Sequence, residues 1–497
     1  MSELRIPLAD FHDACGNLSL GIHGDPATLV CGATEDSRRV KPGMLFVAVN
    51  GQKADGRRFI DDAIRRGAVA VAYQAVEPLA IAVPSLRVAH DYHALGRIAE
   101  CAYGFPGRDM RLLGVTGTNG KTTTAYLLRD IFRRAGERVG MVGTVCYDLG
   151  DSIVPAERTT PSPIELQHYL RHMADAGCTT AILEVSSHAL DQGRLGASLL
   201  DGAIFTNLSG DHLDYHLTFD AYFAAKRRLF TERLSPTGAA VINVDDKWGR
   251  KLANDLRLNG FGHRLVTTAL HTRANVQPAS VEITIEGLLM RLTWHGVQVS
   301  VRSPLTGDYN AHNVLGAISL AFACGLERGP VVRAIHEFAG VPGRLQRIPN
   351  DLDLHLFVDY AHTDDALLNV LLALKPLCQN RLWVVFGCGG DRDTSKRPRM
   401  AAVAAEHADR VYVTSDNPRT ENPLRILDHI IAGLPAGTDY QAIPDRREAI
   451  FTAIREAEPG DTILVAGKGH EDYQEINGTK YPFDDATVIT EALAARH

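Results

Sequence analysis

The sequence lacks the features that would place it in an oxidising compartment, in a membrane or on nucleic acid. Its eight cysteines, at 15, 31, 101, 146, 178, 324, 378 and 388, include no CxxC pair. Neither a zinc site nor a dithiol redox motif is therefore signalled, and free thiols in a reducing compartment are expected. The start, Met1-Ser-Glu-Leu-Arg-Ile-Pro7, has no secretory apolar core. No apolar run approaches the roughly 18 residues needed to span a bilayer. A cytoplasmic chain without membrane insertion is expected. Lys and Arg number 52 against 59 Asp and Glu, for a net charge of −7. That balance argues against a broad nucleic-acid-binding face, so anionic ligands must meet local basic clusters. There is no low-complexity tract and no internal repeat of fixed period. Gly387-Cys-Gly-Gly-Asp-Arg392 is no dinucleotide fingerprint, because Arg392 stands where the third glycine belongs.

What is present is an ordinary globular composition, 45% hydrophobic and 22% charged over 497 residues. That length suggests about three domains at roughly 150 residues each. Residues 1–107 hold short strand-like runs, Met44–Val49 and Ala68–Ala72, and end at the breaker-rich Tyr103-Gly-Phe-Pro-Gly107. Residues 108–340 hold apolar runs at Arg111–Val115, Thr180–Val185, Ala203–Thr206 and Ala239–Val244, separated by helical patterns. Such alternation implies a mostly parallel sheet covered on both faces. Residues 281–302 alternate polar and apolar, which predicts a hairpin appended to that sheet. Beyond Val341-Pro-Gly343, runs at Leu356–Asp359, Leu382–Phe386, Val411–Thr414 and Thr462–Ala466 predict a smaller Rossmann-like domain over 341–497. The fold class is α/β in three domains.

The stretch Gly114-Val-Thr-Gly-Thr-Asn-Gly-Lys-Thr-Thr-Thr124 carries the most chemistry. It follows a predicted strand and opens a helix predicted over Thr122–Ala135, with Gly136 placed as its C′ residue. Strand, glycine loop, Lys-Thr and helix form a triphosphate site: loop N–H groups and the helix N-terminus face the phosphates. Gly117, Thr118, Asn119, Gly120 and Thr123 would line it, Lys121 would reach the β- and γ-phosphates, and Thr122 would ligate Mg²⁺. The loop is shorter than the common motif, since Val115 occupies the usual first-glycine position. Ligands of open α/β sheets gather at the carboxyl ends of strands. Glu184 lies at one such end as a candidate Mg²⁺ ligand, and His212 follows another. Lys226 falls in a helix predicted over Phe219–Phe230, where spacing alone makes it an ordinary surface lysine.

These motifs together resemble the Mur ligases, the ATP-dependent amide-forming enzymes of peptidoglycan synthesis. Gly117–Thr123 has that family's shortened P-loop. Glu184–His188, Asn207–Asp214, Asn310–Asn313, Pro342-Gly-Arg344 and Asp359-Tyr-Ala-His362 match its blocks in order over nearly the whole chain. The chain departs from the pattern at Gln346 and Asp364, where many relatives have glutamate and proline. Asp36-Ser-Arg38 and Gly51–Arg57 resemble the uridine diphosphate site of the member type that adds the third residue of the stem peptide.

The resemblance implies roles. Ser37, Gln52, Lys53 and Ala54, with Thr159, Thr160, Ser186, Gln192 and Arg194, would bind UDP-N-acetylmuramoyl-L-alanyl-D-glutamate. Asn313, Arg344 and Asp359 would join the loop in binding ATP. Lys226 matches a lysine carried as a carbamate, which with Thr122, Glu184 and His212 would hold Mg²⁺. Lys121, Glu184, His212 and Lys226 would be the catalytic set. Asp416-Asn417-Pro418-Arg419 is similar to the signature of members that add meso-diaminopimelate, in a pocket completed by Arg392, Gly467 and Glu471. A guanidinium can grip the distal carboxylate that diaminopimelate has and lysine lacks, through two parallel hydrogen bonds. The implied reaction runs through an acyl phosphate, in a monomer. Folylpolyglutamate ligases share the second and third parts but lack the uridine nucleotide domain. A nucleotide-binding switch protein is the reading from another class; it would turn over slowly without an amine substrate.

Overall fold

The computed structural model describes residues 4–49, 55–260, 264–294 and 296–496. The expected ligand residues Gln52, Lys53 and Ala54 lie outside them. Two compact units divide the chain: 1–277 with 315–331, and 278–314 with 332–497.

The first unit contains two sheets. One has five strands in the order Ser19–His23, Ser85–Val88, Ala70–Gln74, Leu45–Ala48, Ala33–Thr34, and only its first pair is antiparallel. The other has eight strands, in which Arg111–Thr116 is flanked in parallel by Thr180–Glu184 and Leu200–Phe205. Its apolar strands read as continuous runs because both faces are covered; every residue of Thr180–Glu184 is buried. The helix after the glycine loop is Lys121–Arg134, burying Ala125, Leu128, Ile131 and Phe132, and Gly136 (φ 91°) lies just beyond its Ala135 cap. Helix Pro163–Asp175 begins with Pro163 behind the Ser162 N-cap, whose hydroxyl accepts from the Glu165 N–H at 3.4 Å. Gly96 and Gly196 let two segments touch: a β-carbon on Gly96 would stand 2.3 Å from the Gly196 Cα.

The second unit is built on a six-stranded sheet in the order Gln346–Ile348, His355–Asp359, Thr462–Ala466, Leu382–Phe386, Arg410–Val413, Tyr440–Ala442, antiparallel only at its first pair. Leu382, Val384 and Phe386 face one apolar cluster while Trp383 and Val385 face another, so this sheet too is covered on both sides. The hairpin expected over 281–302 is instead a three-stranded meander, Pro278–Thr284, Gly287–Trp294 and Val297–Ser303. The alternating pattern continues across a second tight turn, which makes room for the extra strand. Ile285 in its first turn packs into the cluster that holds Leu345 and Phe357, so the meander groups with the second unit and not with the eight-stranded sheet. The two departures are accommodated locally: Gln346 Oε1 accepts from the Gly343 N–H at 2.8 Å, and Asp364 opens helix Asp364–Leu374 and accepts from Arg399 Nε at 2.9 Å.

Candidate active site

The glycine loop of the first unit is shaped by two close approaches. Gly117 has φ 152°, and a β-carbon there would stand 1.9 Å from Thr206 Oγ1. Gly120 is left-handed at φ 83° immediately before the helix. The loop is locked to the neighbouring strand end: the Thr118 N–H donates to Asn207 O at 2.9 Å and the Asn119 N–H to Asn207 Oδ1 at 3.0 Å. Lys121 Nζ reaches back over it, donating to Gly117 O and Thr118 O at 2.9 and 2.8 Å.

Parallel pairing sets Glu184 beside Val115, at the end of the strand next to the loop. Its carboxylate is fully buried and accepts from Thr122 Oγ1 at 2.9 Å, the Thr144 N–H at 3.0 Å and Thr144 Oγ1 at 3.0 Å. Thr144 was not anticipated. It follows the strand Val139–Val142 at the same carboxyl edge of the sheet, and the strand-end rule that found Glu184 could have found it too.

Lys226 is not the surface lysine its spacing suggests. It is 1% exposed, and its Nζ donates to Gly117 O at 2.8 Å and lies 4.6 Å from the centre of the Tyr222 ring. Burial first, and the Lys121 charge second, hold its pKa well below the ordinary lysine value; Asp211 opposes them. Tyr222 pairs its hydroxyl with Thr118 Oγ1 at 3.1 Å and faces the His212 ring edge-on at 6.1 Å between centres. His212 is left-handed at φ 53° and packs edge-on against His188 at 4.8 Å. Thr122 and Glu184 are thus in direct contact, while His212 and Lys226 share Tyr222 as a neighbour. An oxygen donor pair of hydroxyl and carboxylate at a phosphate loop suits the hard Mg²⁺ ion.

The residues expected to hold the peptide-bearing substrate converge on the same strand end. Thr160 Oγ1 donates to Glu184 O at 2.7 Å and accepts from the Ser186 N–H at 3.1 Å. Arg194 donates to Thr160 O at 2.7 Å and to Gln192 Oε1 at 2.7 Å, and Thr159 pairs with Thr144 at 3.1 Å. Ser37 is buried in the short turn Ser37–Arg39, which is tied to helix Pro163–Asp175 by Arg39 and Glu165 at 3.0 Å.

In the second unit, Asn313 donates to Asn310 Oδ1 at 3.1 Å. Asp359 is buried and accepts from the Leu345 N–H at 2.6 Å and the Ala361 N–H at 2.8 Å; burial raises its pKa against the nearby Arg344 charge. Arg344 lies over the Tyr360 ring at 4.7 Å.

A second cluster forms where the strands Leu382–Phe386, Arg410–Val413 and Thr462–Ala466 end. Asn417 Nδ2 donates to Glu471 Oε2 at 2.7 Å, and a β-carbon on Gly467 would sit 3.1 Å from Asp416 Oδ2. Arg419, left-handed at φ 53°, donates to Gly390 O at 2.8 Å and faces Glu475 at 3.4 Å. A β-carbon on Gly389 would lie 2.8 Å from Arg419 Nη1 and 3.8 Å from Arg392 Cγ, so both arginines border one glycine turn. Pro418 turns the chain there, its carbonyl accepting from the Glu421 N–H at 3.0 Å. Lys468, fully buried among these groups, was also unanticipated; it lies inside the Gly467-Lys-Gly-His-Glu471 match.

Comparison with known proteins bears on the whole chain. Three family models match in order: "Mur ligase family, catalytic domain" over residues 32–102, "Mur ligase middle domain" over 115–321, and "Mur ligase, glutamate ligase domain" over 343–469. The UDP-N-acetylmuramoyl-L-alanyl-D-glutamate--2,6-diaminopimelate ligase of Gloeobacter violaceus is 41% identical over 493 residues, 99% of each chain. The protein of the same description from Synechococcus elongatus is 44% identical over 480 residues, 94% of each chain. A solved structure of a ligase so described aligns with TM-score 0.72 at 35% identity, over 99% of this chain and 100% of that one. The fold alone is shared with MurF of Acinetobacter baumannii, at TM-score 0.67 and 17% identity over 99% of this chain and 100% of that one. With the shortened phosphate loop, the strand-end carboxylate and the arginine-bordered turn all in place, the chain belongs to the Mur ligase family.

Proposed function

We infer that the protein is an ATP-dependent amide ligase that adds meso-2,6-diaminopimelate to UDP-N-acetylmuramoyl-L-alanyl-D-glutamate. The observation that carries the reading is the convergence on one strand end of a phosphate loop, a buried carboxylate and a polar network through Thr160, Ser186, Gln192 and Arg194. Relatives bearing the ligase description at about 40% identity over nearly the full chain support it. Domains over 1–107, 108–340 and 341–497 are proposed for the uridine nucleotide, ATP and the incoming amino acid; the three family models begin and end near those bounds.

In the proposed mechanism the D-glutamyl γ-carboxylate attacks the γ-phosphate of ATP, giving an acyl phosphate and ADP. The amine of diaminopimelate then attacks the acyl carbon, and phosphate leaves as the amide forms. Lys121 offsets charge on the transferring group, and the loop N–H groups orient the phosphates. Thr122, Glu184, His212 and a carbamylated Lys226 are the proposed Mg²⁺ ligands. When bound, Mg²⁺ would neutralise charge on the phosphate oxygens. A carbamate forms only from a neutral amine, and the depressed Lys226 pKa supplies one. Thr160 and Arg194 orient the muramoyl peptide. Arg392 and Arg419 take the distal carboxylate of diaminopimelate, and Glu471, oriented by Asn417, takes its ammonium.

The test is phosphate release from ATP and Mg²⁺ with the muramoyl dipeptide substrate and diaminopimelate, L-lysine or no amino acid. Release with diaminopimelate, and a product of matching mass, is the expected result. Release with lysine in its place would discard the specificity pocket. No release with either would return the folylpolyglutamate and switch-protein readings.

A further inference from the structure

Lys468 is the one member of the second cluster to which the reaction above gives no role. It is fully buried. Its Nζ donates to Asn417 Oδ1 at 3.2 Å and to Tyr473 O at 2.5 Å, and it lies 3.9 Å from Asp416 and 3.6 Å from Glu471. Asn417 Oδ1 also accepts from the Glu475 N–H at 2.9 Å. With two donors on its oxygen, the Asn417 amide can present only its NH₂ to Glu471, as it does at 2.7 Å.

The charges around this group are unequal. Arg446 is paired with Asp485, both fully buried, and Arg419 with Glu475. That leaves Lys468 against two carboxylates, Asp416 and Glu471, so the cage carries one net negative charge. Two buried carboxylates without a counter-cation would share a proton, as paired acids do. An incoming ammonium would then have to displace it.

Resting on the diaminopimelate reading, we propose that Lys468 is a positioning residue that keeps Asp416 and Glu471 ionised together and fixes the Asn417 amide. Diaminopimelate then meets a preset monoanionic cage and neutralises it without releasing a proton from the pocket. Burial pulls the Lys468 ammonium below its usual range and pushes Glu471 up, with each charge opposing the other's shift. Tyr360, Tyr473 and Arg419 also face the pair. A purely structural Lys468, tying Tyr473 and its hairpin to the sheet, would leave proton coupling untouched.

The test is the Michaelis constant for diaminopimelate as a function of pH in the full-length enzyme. Wild type must first ligate diaminopimelate; if it does not, the functional reading falls and this inference with it. In Lys468→Met the constant is expected to rise at least about tenfold at neutral pH and to fall about tenfold for each pH unit of increase, as one bound proton is displaced. Wild type is expected to show no such added slope, and the constant for ATP should not move. Lys468→Met combined with Glu471→Gln should lose the slope, since the second carboxylate is gone. A Lys468→Met profile parallel to wild type would overturn the proposal. Should Lys468→Met not fold, infrared spectra of wild type decide. A protonated carboxyl band at neutral pH that vanishes in Glu471→Gln would overturn the proposal, and absence of such a band is the expected result.

Discussion

Lys121 and Lys226 donate to the same carbonyl oxygen, that of Gly117, at 2.9 and 2.8 Å. One lysine opens the helix after the phosphate loop; the other comes from a helix 105 positions later in the chain, 226 less 121. Both cations are thereby stored on the loop they are proposed to serve, and each depresses the other's charged form. A triphosphate entering the loop would offer Lys121 a stronger acceptor than a carbonyl, because charge-assisted hydrogen bonds are roughly twice as strong as neutral ones.

Lys121→Ala should reduce ligation by at least about 10²-fold in kcat, the scale of removing one preorganised donor from a transition state. The fold should survive, because the lost contacts are two hydrogen bonds at a partly exposed position. Turnover and a thermal melt on one preparation check this; near-normal turnover would remove Lys121 from the phosphate site.

Lys226 tests the carbamate. A depressed folded-state pKa means the unfolded chain holds the proton more tightly, so this group opposes folding at neutral pH. The opposition is relieved as pH rises through the ordinary lysine range. Lys226→Met, similar in volume and uncharged, should keep or raise the melting temperature at pH 7 while ligation is lost. Wild-type activity should fall when CO₂ is stripped and return with bicarbonate. Activity indifferent to CO₂ would count against the carbamate.

Arg419 tests specificity. Removing a charged partner of a carboxylate costs about 1.5–3 kcal/mol, or about 10–100-fold in kcat/KM for diaminopimelate. Arg419→Ala should lose that much with diaminopimelate and little with lysine. Arg419→Lys should recover only part of it, because an ammonium cannot make the two parallel bonds. A variant that still strongly prefers diaminopimelate would place the discriminating group elsewhere.

The Arg446–Asp485 pair tests the frame of the second unit. Both side chains are fully buried, with contacts of 2.7 and 2.6 Å, and Arg446 also donates to Ala466 O at 3.0 Å, at the end of the strand that leads to Gly467. Asp485→Ala should destabilise the protein by about 3–5 kcal/mol by leaving a buried charge alone. Replacing both with apolar residues should cost much less. Urea unfolding of the single and double variants measures the difference, and equal losses would show that the pair is not coupled.

Local pattern carried much of the fold. The apolar run, the glycine turn and the helical spacing placed the phosphate strand at Arg111–Thr116 and its helix at Lys121–Arg134 within a residue or two. Each of these is written in consecutive residues. The meander was read one strand short, because alternation does not say how many times a ribbon turns back.

By itself the sequence determined the loop, its Lys-Thr pair, the Asp416–Arg419 turn and the order of motifs that names the family. It could not determine which strand ends stand together. Only the parallel order of the eight-stranded sheet brings Glu184 to Thr122 across 62 positions and adds Thr144 to the same carboxylate. Nor could spacing distinguish a surface lysine from the buried Lys226, or find a role for Lys468. The physical reason is the same in each case. Periodicity fixes which face of an element is covered, but a buried charge takes its meaning from groups that tertiary packing delivers from distant parts of the chain.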